Sequence, residues 1–515
     1  MAATDVCLVN TPLCRYGFNL SGIYPMPHLG LGYLGTMLQR DGRTLAYVDS
    51  QFDEQNPLRR PDMLPDAKIF ALTSKLINLV PTHNIAKIIR EKRPDARIVL
   101  GGPCNIVDPD ILFKYFPAFD IVATGEGEPM INPLTRALLD GKTNEELLGI
   151  PGLAVRLEDG RVAKTAPPAP ANLADEIYPL RTLWPAQTHR MHPPYGIAPP
   201  VSLMETARGC SFDCSFCAID KTARERPDEV VFNEVRQLLD AGINEIHFVD
   251  PTFTLNMKRA RRLCEGFLRM PRKFKWSCKT RVDLVNPELL KLMSDAGCYL
   301  IAYGIESYAD DVLTNISKRL EFEKTNRALQ WTHDAGIRSI GYILIGSPGE
   351  SDRSVAKTNQ MIRRSKVWFT LFGVYMPLPG SDQIPVSDRQ LNEDLIYAYT
   401  YGKHERFAEV APNGHPHQQL SKWLMRSVLT FYLDPRNLWR TVIGVRSFPE
   451  FWHYTKGAGF LGLEFGRFAY KRLAEATTAV VRFNDGHRDD LEDPTGLERI
   501  PGYRRLRRAV FAAIR

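Results

Sequence analysis

The stretch Arg208–Asp220, RGCSFDCSFCAID, sets cysteines at positions 210, 214 and 217, a C-x3-C-x2-C spacing with no fourth cysteine nearby. A metal site that only holds a fold together closes its coordination sphere with protein ligands, as structural zinc sites do. A four-iron cluster needs one ligand per iron, so three thiolates leave one iron open to a substrate or cofactor. A zinc ribbon would require a second ligand pair. The other cysteines of this half, Cys264, Cys278 and Cys298, fall in a helix, a strand interior and a strand start, and none forms a pair. Cys210, Cys214 and Cys217 therefore read as metal ligands and, through the open iron, as the catalytic centre.

The strand VSLMETA leads into this loop from residue 201, and the chain then repeats strand and helix. The strands are EIHFVD, KWSCKTR, CYLIAYGIE, SIGYILIG and WFTLFGVYMPLP, with helical patterns at 228–241, 287–296 and 351–365. Six such units without a seventh and eighth predict a partial (β/α)6 barrel over 201–400, and parallel barrels carry their chemistry on the loops after the strands. The front of the chain, 1–150, alternates in the same way through DVCLVNTP, TLAYVDS, KIFALTS, ARIVLGGP and FDIVATGEGE. That pattern predicts a doubly wound, Rossmann-like α/β domain, with ligands beyond the carboxyl ends of its strands. Thr73, Ser74, Gly101, Gly102, Pro103, Gly125, Glu126 and Gly127 then share one rim, where glycine lets a backbone approach a ligand closely. Residues 151–200 read as a proline-rich linker with one Asp-Gly hairpin signal, and 401–515 as a helical, aromatic C-terminal domain capping the open side of the barrel.

Composition limits the classes. The chain has 515 residues, 44% hydrophobic, with a formal net charge of +7. These values suit a multidomain globular protein and suggest neither disorder nor a nucleic acid partner. The N-terminal residues lack a secretory pattern, and no apolar run reaches the roughly 18 residues of a spanning helix. Nine cysteines without such a signal point to reduced thiols and a cytoplasmic setting.

The motif, its place after the first barrel strand, and the aromatic Phe216 before the last cysteine resemble the radical S-adenosylmethionine (SAM) enzymes. The front segments PHLGLGYLGTML, LGGP and TGEGEP resemble the cobalamin-binding domain that precedes the barrel in one branch, the class B methyltransferase-like enzymes. Together the resemblance spans roughly residues 5–380. It implies a [4Fe-4S] cluster on Cys210, Cys214 and Cys217, SAM on the open iron, and cobalamin on the front rim. It further implies SAM contacts from Phe216, Asp250, Lys279, Arg281, Glu306 and Ser307, with Arg281 at the methionine carboxylate and Glu306 at the ribose hydroxyls. The activity implied is methyl transfer to an unactivated carbon of a natural-product, peptide or lipid substrate, with electrons from an external donor such as flavodoxin or ferredoxin. The D-x-H-x2-G motif of other cobalamin domains is missing, so the corrin is expected to bind without a lower histidine. His28 is read as an ordinary neutral surface histidine and Cys104 as a packing residue.

Three other activities remain open at this point. One is a cobalamin-dependent cyclase or oxidoreductase without methyl transfer. The second is a methylthiotransferase using Cys7, Cys14 and Cys104 for a second cluster, and the third a non-catalytic cobalamin or metal sensor. Trp423, Phe431, Trp439, Phe451, Trp452 and Phe460 read mostly as core, some of them lining a substrate pocket. The pair His415 and His417 lacks a third metal ligand. The arginine-rich end, Arg504–Arg515, reads as a solvated helix, with peripheral contact to an anionic membrane as the alternative.

Overall fold

A computed structural model describes residues 4–12, 26–103, 107–186, 195–376, 378–385, 387–400 and 415–445, together with Thr455. In the front half, β1 (Thr4–Asn10), β2 (Leu45–Asp49), β3 (Ala67–Thr73), β4 (Arg97–Gly101) and β5 (Ile121–Ala123) form a parallel sheet in the order 2-1-3-4-5. Side chains alternate across a strand, so each face takes its own helices. Val6 and Leu8 of β1 pack with α1 (Leu29–Arg40) and α4 (Glu128–Leu139), while Cys7 and Val9 pack with α2 (Leu79–Lys92) and α3 (Pro109–Tyr115). The strand order reverses between β1 and β3, which puts the ligand crevice of such sheets beside Thr73 and Ser74.

The expected linker begins later than the sequence suggests. β6 (Leu153–Arg156) pairs antiparallel with β5, and β7 (Val162–Lys164) pairs antiparallel with β6, giving a seven-stranded sheet. The Asp159-Gly160 turn makes this possible, with Gly160 at φ +83, a conformation that favours glycine. The end of the connector is also structural. Buried Glu245 accepts hydrogen bonds from the Gly196 and Ala198 amides, each at 2.8 Å, and fixes the chain beneath the second sheet.

That second sheet has six parallel strands in chain order: β8 (Val201–Met204), β11 (Glu245–Phe248), β12 (Lys275–Thr280), β13 (Cys298–Glu306), β14 (Arg338–Ile345) and β15 (Phe369–Val374). Between β8 and β11, the two-residue strands β9 (Ala207–Arg208) and β10 (Arg224–Glu225) pair with each other. The connecting helices include α5 (Asp228–Asp240), α6 (Met257–Leu268), α7 (Pro287–Asp295), α8 (Asp310–Asn315), α9 (Phe322–Asp334) and α10 (Asp352–Arg364). Between strands and helices lies a core in which Phe248 stacks on Phe267 at 5.5 Å and meets Trp276 edge-on at 5.6 Å.

Three further helices follow, α11 (Arg389–Thr400), α12 (His417–Tyr432) and α13 (Pro435–Gly444). The Trp423 indole donates to Asp352 Oδ1 at 2.7 Å and the Tyr432 hydroxyl to the Thr370 carbonyl at 2.5 Å, so α12 lies against α10 and β15. Trp423 and Phe431 are core residues, whereas Trp439 is 67% exposed. Phe451, Trp452, Phe460 and the arginine-rich end lie outside the described residues. The His415 ring packs on Trp423 at 4.9 Å. Among the described residues no helix is long and apolar enough to cross a membrane.

Candidate functional site

The cysteine loop leaves and re-enters the barrel through the β9–β10 ladder. Gly209 sits at φ +77, and a Cβ there would lie 2.1 Å from the Thr222 carbonyl, so only glycine closes the base. The Cys210 amide donates to the Asp220 carbonyl at 2.8 Å and the Cys217 amide to the Cys214 carbonyl at 3.0 Å. Outside contacts fix the tip: the Ser215 amide donates to the Ile316 carbonyl at 3.1 Å, Gln383 Nε2 to Ser215 Oγ at 3.0 Å, and Lys221 Nζ to the Phe212 carbonyl at 3.2 Å. Phe216 meets Tyr375 edge-on at 6.3 Å and closes one side of the loop. All three thiols are partly exposed. Burial pushes the Cys214 thiol up, and the Lys318 and Arg281 cations pull it back toward the thiolate.

The barrel rim brings most of the expected residues to this loop, with partners the sequence did not disclose. Cys210 Sγ lies 3.6 Å from Thr252 Oγ1. Asp250 spends both oxygens on its neighbour, accepting from the Thr206 amide at 2.6 Å and the Thr206 hydroxyl at 2.5 Å, so it clamps the start of the loop. Arg281 gives Nε and Nη2 to Asp283, both at 2.9 Å, stacks on Phe212 at 3.8 Å, and turns Nη1 toward Cys214 Sγ at 3.7 Å. Its bidentate edge is taken by Asp283, the geometry that would suit a carboxylate ligand, and Nη1 is the nitrogen turned to the cysteine loop. Glu306, at the end of β13, has φ +63 after a bulge in the strand register, a strained conformation typical of functional sites. The bulge aims Oε1 at Lys318 Nζ, 2.7 Å away, in a buried ion pair. Gly304 makes room, since a Cβ there would lie 2.7 Å from Glu306 Oε1. Ser307 is buried, caps Ala309 and meets Thr358 Oγ1 at 3.1 Å, so it orders the loop rather than facing a ligand. Burial, then Lys75 across the domain boundary, depresses the Lys279 ammonium. Lys75 follows β3 and Lys279 lies on β12, and the two halves touch where Arg208 and Arg224 reach Glu126 and Glu128.

The front rim surrounds a cavity of about 140 Å3 lined by Gly101, Gly102, Gly125, Gly127, Thr73 and His28 among others. Gly102, at φ +90, cannot be replaced, because a Cβ would lie 2.4 Å from Thr73 Oγ1. Gly125, at φ +83, is equally constrained by Pro168. Ser74 turns its hydroxyl to the Lys75 carbonyl and also accepts from Thr82, and Pro103 is exposed. Glu126 is spent on Arg224 at 2.5 Å, Arg208 at 3.1 Å and the Ala171 amide at 2.6 Å. His28 is a helix cap, not a loose surface residue. Its Nδ1 accepts from the Leu31 amide at 3.2 Å, leaving Nε2 facing Thr73 Oγ1 at 3.2 Å. Burial, with Lys75 nearby, holds it neutral with a pKa of about 4. Both ring nitrogens have partners, Leu31 and Thr73.

Both expected cofactors fit these donors. The three loop cysteines are partly exposed, with Lys318 and Arg281 beside Cys214, whereas Cys7, Cys264, Cys278 and Cys298 are buried. Among the described residues no three His, Cys, Asp or Glu side chains are grouped to hold one metal ion. The glycine-lined front cavity offers an apolar slot for part of a larger ligand. Sequence reasoning missed Lys318, Phe212, Gln383 and Lys75, none of which belongs to a short motif. It also kept Cys264, Cys278 and Cys298 apart, whereas the fold brings them within reach of one another's charge. Cys7 is fully buried in β1, its thiol pushed far up by burial, so it cannot serve a second cluster; Cys14 and Cys104 lie outside the described residues.

Comparison with known proteins agrees with this geometry. The model of the radical SAM superfamily matches residues 204–362. The uncharacterized methyltransferase PH0819 of Pyrococcus horikoshii is 28% identical over 421 residues, 80% of this chain and 89% of that protein. The anaerobic magnesium-protoporphyrin IX monomethyl ester cyclase of Rubrivivax gelatinosus is 27% identical over 368 residues, 69% of this chain and 65% of that protein. The structure of the radical SAM methyltransferase TsrM from Kitasatospora setae, with cobalamin and a [4Fe-4S] cluster bound, superposes with a TM-score of 0.58 at 20% identity. It covers 74% of each chain, and at that identity the likeness is one of fold. Residues 204–362 thus match the radical SAM superfamily, and the relatives that cover most of the chain support an enzyme similar to the cobalamin-dependent branch of that superfamily.

Proposed function

We infer that this chain is a cobalamin-dependent radical SAM methyltransferase acting on an unactivated carbon of a small molecule, with lipid and peptide substrates in the same range. The observation that carries the reading is three partly exposed cysteines on the loop after β8, whose base is joined to the front domain's rim through Arg208, Arg224, Glu126 and Glu128. Bound there, the cluster would supply the electron that cleaves SAM, and cobalamin would carry the methyl group. Cys210, Cys214 and Cys217 would hold the cluster. Lys318 and Arg281 favour the thiolate at Cys214 Sγ, and Phe216 packed on Tyr375 keeps water from that side. Thr252, the free oxygen of Glu306 and Lys279 would orient SAM, while Thr73, Gly101, Gly102, Gly125 and Gly127 would receive part of the corrinoid. An external flavodoxin or ferredoxin would donate the electron, and the basic C-terminus would be a solvated end, with peripheral membrane contact as the alternative.

The test is anaerobic reconstitution with iron, sulfide and hydroxocobalamin, followed by iron and corrinoid quantitation and an assay for 5′-deoxyadenosine. Zinc in place of iron would overturn the reading. The likeness to the magnesium-protoporphyrin cyclase favours ring closure without methyl transfer as the second activity. SAM carrying a deuterated methyl group separates the two, because only a methyltransferase moves the label into product.

A further inference from the structure

Arg208 lies two residues before Cys210 and is the most heavily engaged cation at the boundary between the two sheets. Its Nη2 meets Glu128 Oε1 at 2.6 Å, its Nη1 meets Glu126 Oε1 at 3.1 Å, and its Nε donates to Glu205 Oε1 at 2.8 Å. Its guanidinium also lies over the Tyr33 ring of α1, 5.4 Å from the centroid. Arg224, its register partner in the β9–β10 ladder, reaches the same Glu126 at 2.5 Å. The ladder residues at the base of the cysteine loop are thus bolted to the two acidic residues of the front rim. Glu128 opens α4 and lines the front cavity, so the same carboxylate touches both halves of the site. Side-chain exposure is 18% for Arg208 and 13% for Glu128, low enough that water competes poorly for the contact.

An ion pair at this boundary could simply add stability, but its location argues for more. A guanidinium presents rigid, in-plane donors, and three carboxylates from two domains fix its orientation. The strand bearing Arg208 runs straight into the first cluster ligand, and Gly209 closes against the Thr222 carbonyl without slack. Any change in how the front domain sits on Arg208 is therefore transmitted to Cys210.

Resting on the cofactor assignment above, we propose that Arg208, with Glu126 and Glu128, is a positioning residue that sets the separation between cluster and corrinoid. Methyl transfer and radical formation at one substrate carbon both need that separation held, because misplacement by about an ångström costs orders of magnitude in rate.

The test uses the full chain reconstituted with cluster and hydroxocobalamin and reduced until cluster and cobalt are both paramagnetic. Pulsed electron paramagnetic resonance then reads how much the nearby cluster speeds relaxation of the cobalt signal. With iron and corrinoid at wild-type stoichiometry, R208M and the milder E128Q are expected to lose at least half of that enhancement, and R208K to recover part of it. Unchanged enhancement in R208M with both cofactors fully bound would show a purely structural pair and overturn the proposal. Hydrogen exchange on the cofactor-free protein adds a readout that needs no cobalamin. Residues 121–139 and 207–225 should gain exchange together in R208M, and wild-type exchange in both would also overturn it. A wild type that binds iron but no corrinoid would sink the cofactor assignment, leaving exchange to decide whether Arg208 couples the two segments.

Discussion

Cys210, Cys214 and Cys217 sit on one loop, each partly exposed, with Lys318 and Arg281 beside Cys214. Cys264, Cys278 and Cys298 come from α6, β12 and β13, meet inside the same domain, and are at most 4% exposed. Number is alike in the two trios. In the buried one desolvation far outweighs the pull of Arg261 on Cys264, so burial drives the Cys264 and Cys278 thiols far up and they stay neutral core groups. A thiolate is the metal ligand. What separates a ligand set from packing is thus access and neighbouring charge, features that a count of cysteines omits.

The sharpest way to break this comparison is to remove one cysteine from each trio. C210A is expected to fall from about four irons per chain to below one and to lose 5′-deoxyadenosine formation altogether. C298A should keep its iron and lose about 1 kcal/mol of stability through a small cavity. Iron loss in C298A, measured after identical reconstitution, would place the metal in the wrong trio. Next in size is K318M. It strands the Glu306 carboxylate in a site where the pair's side chains are 5% and 9% exposed, a change that costs about 3–5 kcal/mol. Denaturant midpoints measure it, and the double variant K318M/E306Q should recover most of the loss. No recovery would mean that Lys318 acts through packing alone.

The sequence disclosed whatever local pattern controls. The run DVCLVN is apolar on both sides because β1 is buried on both faces, and the strands of both sheets were legible for the same reason. The cysteine spacing was legible because one loop carries it. Partnerships made by the fold were hidden. Arg281 looks like an unclaimed carboxylate binder until Asp283, two residues on, fills its bidentate edge. Glu126 looked like a ligand group, and Arg208 and Arg224 take it from the other domain. The β6–β7 hairpin was visible as a turn, but its antiparallel seat on β5 depends on the sheet edge it meets.

Titrating groups extend the contrast between ligands and packing. Glu350 is 4% exposed, accepts from the Gly346 and Ser347 amides through Oε2 alone, and is pushed by burial to a pKa of about 7. A raised carboxyl pKa means that the fold binds the proton more tightly than the unfolded chain, so stability falls as pH rises from 4.5 to about 7. The wild type should lose about 3 kcal/mol across that window relative to E350Q. Equal slopes for the two proteins in pH-dependent unfolding would exclude Glu350 as the titrating group.

His28 gives the smallest effect and the opposite sign. Its pKa is depressed from 6.5 to about 4, so its contribution is complete above pH 6.5 and is lost as pH falls through that interval. Part of the ring is accessible, which limits the loss to about 1–2 kcal/mol. Asparagine can accept the Leu31 amide as a helix cap but does not titrate, so H28N should keep near-wild-type stability at pH 7.5 and show a shallower acid limb. Because Nδ1 and Nε2 already serve Leu31 and Thr73, H28N should also leave the visible spectrum of the bound corrinoid unchanged. A spectral shift characteristic of a lost nitrogen ligand would make His28 a cobalt ligand instead. It would then belong with the loop cysteines on the liganding side of the comparison, and the cap geometry would describe only the cofactor-free state.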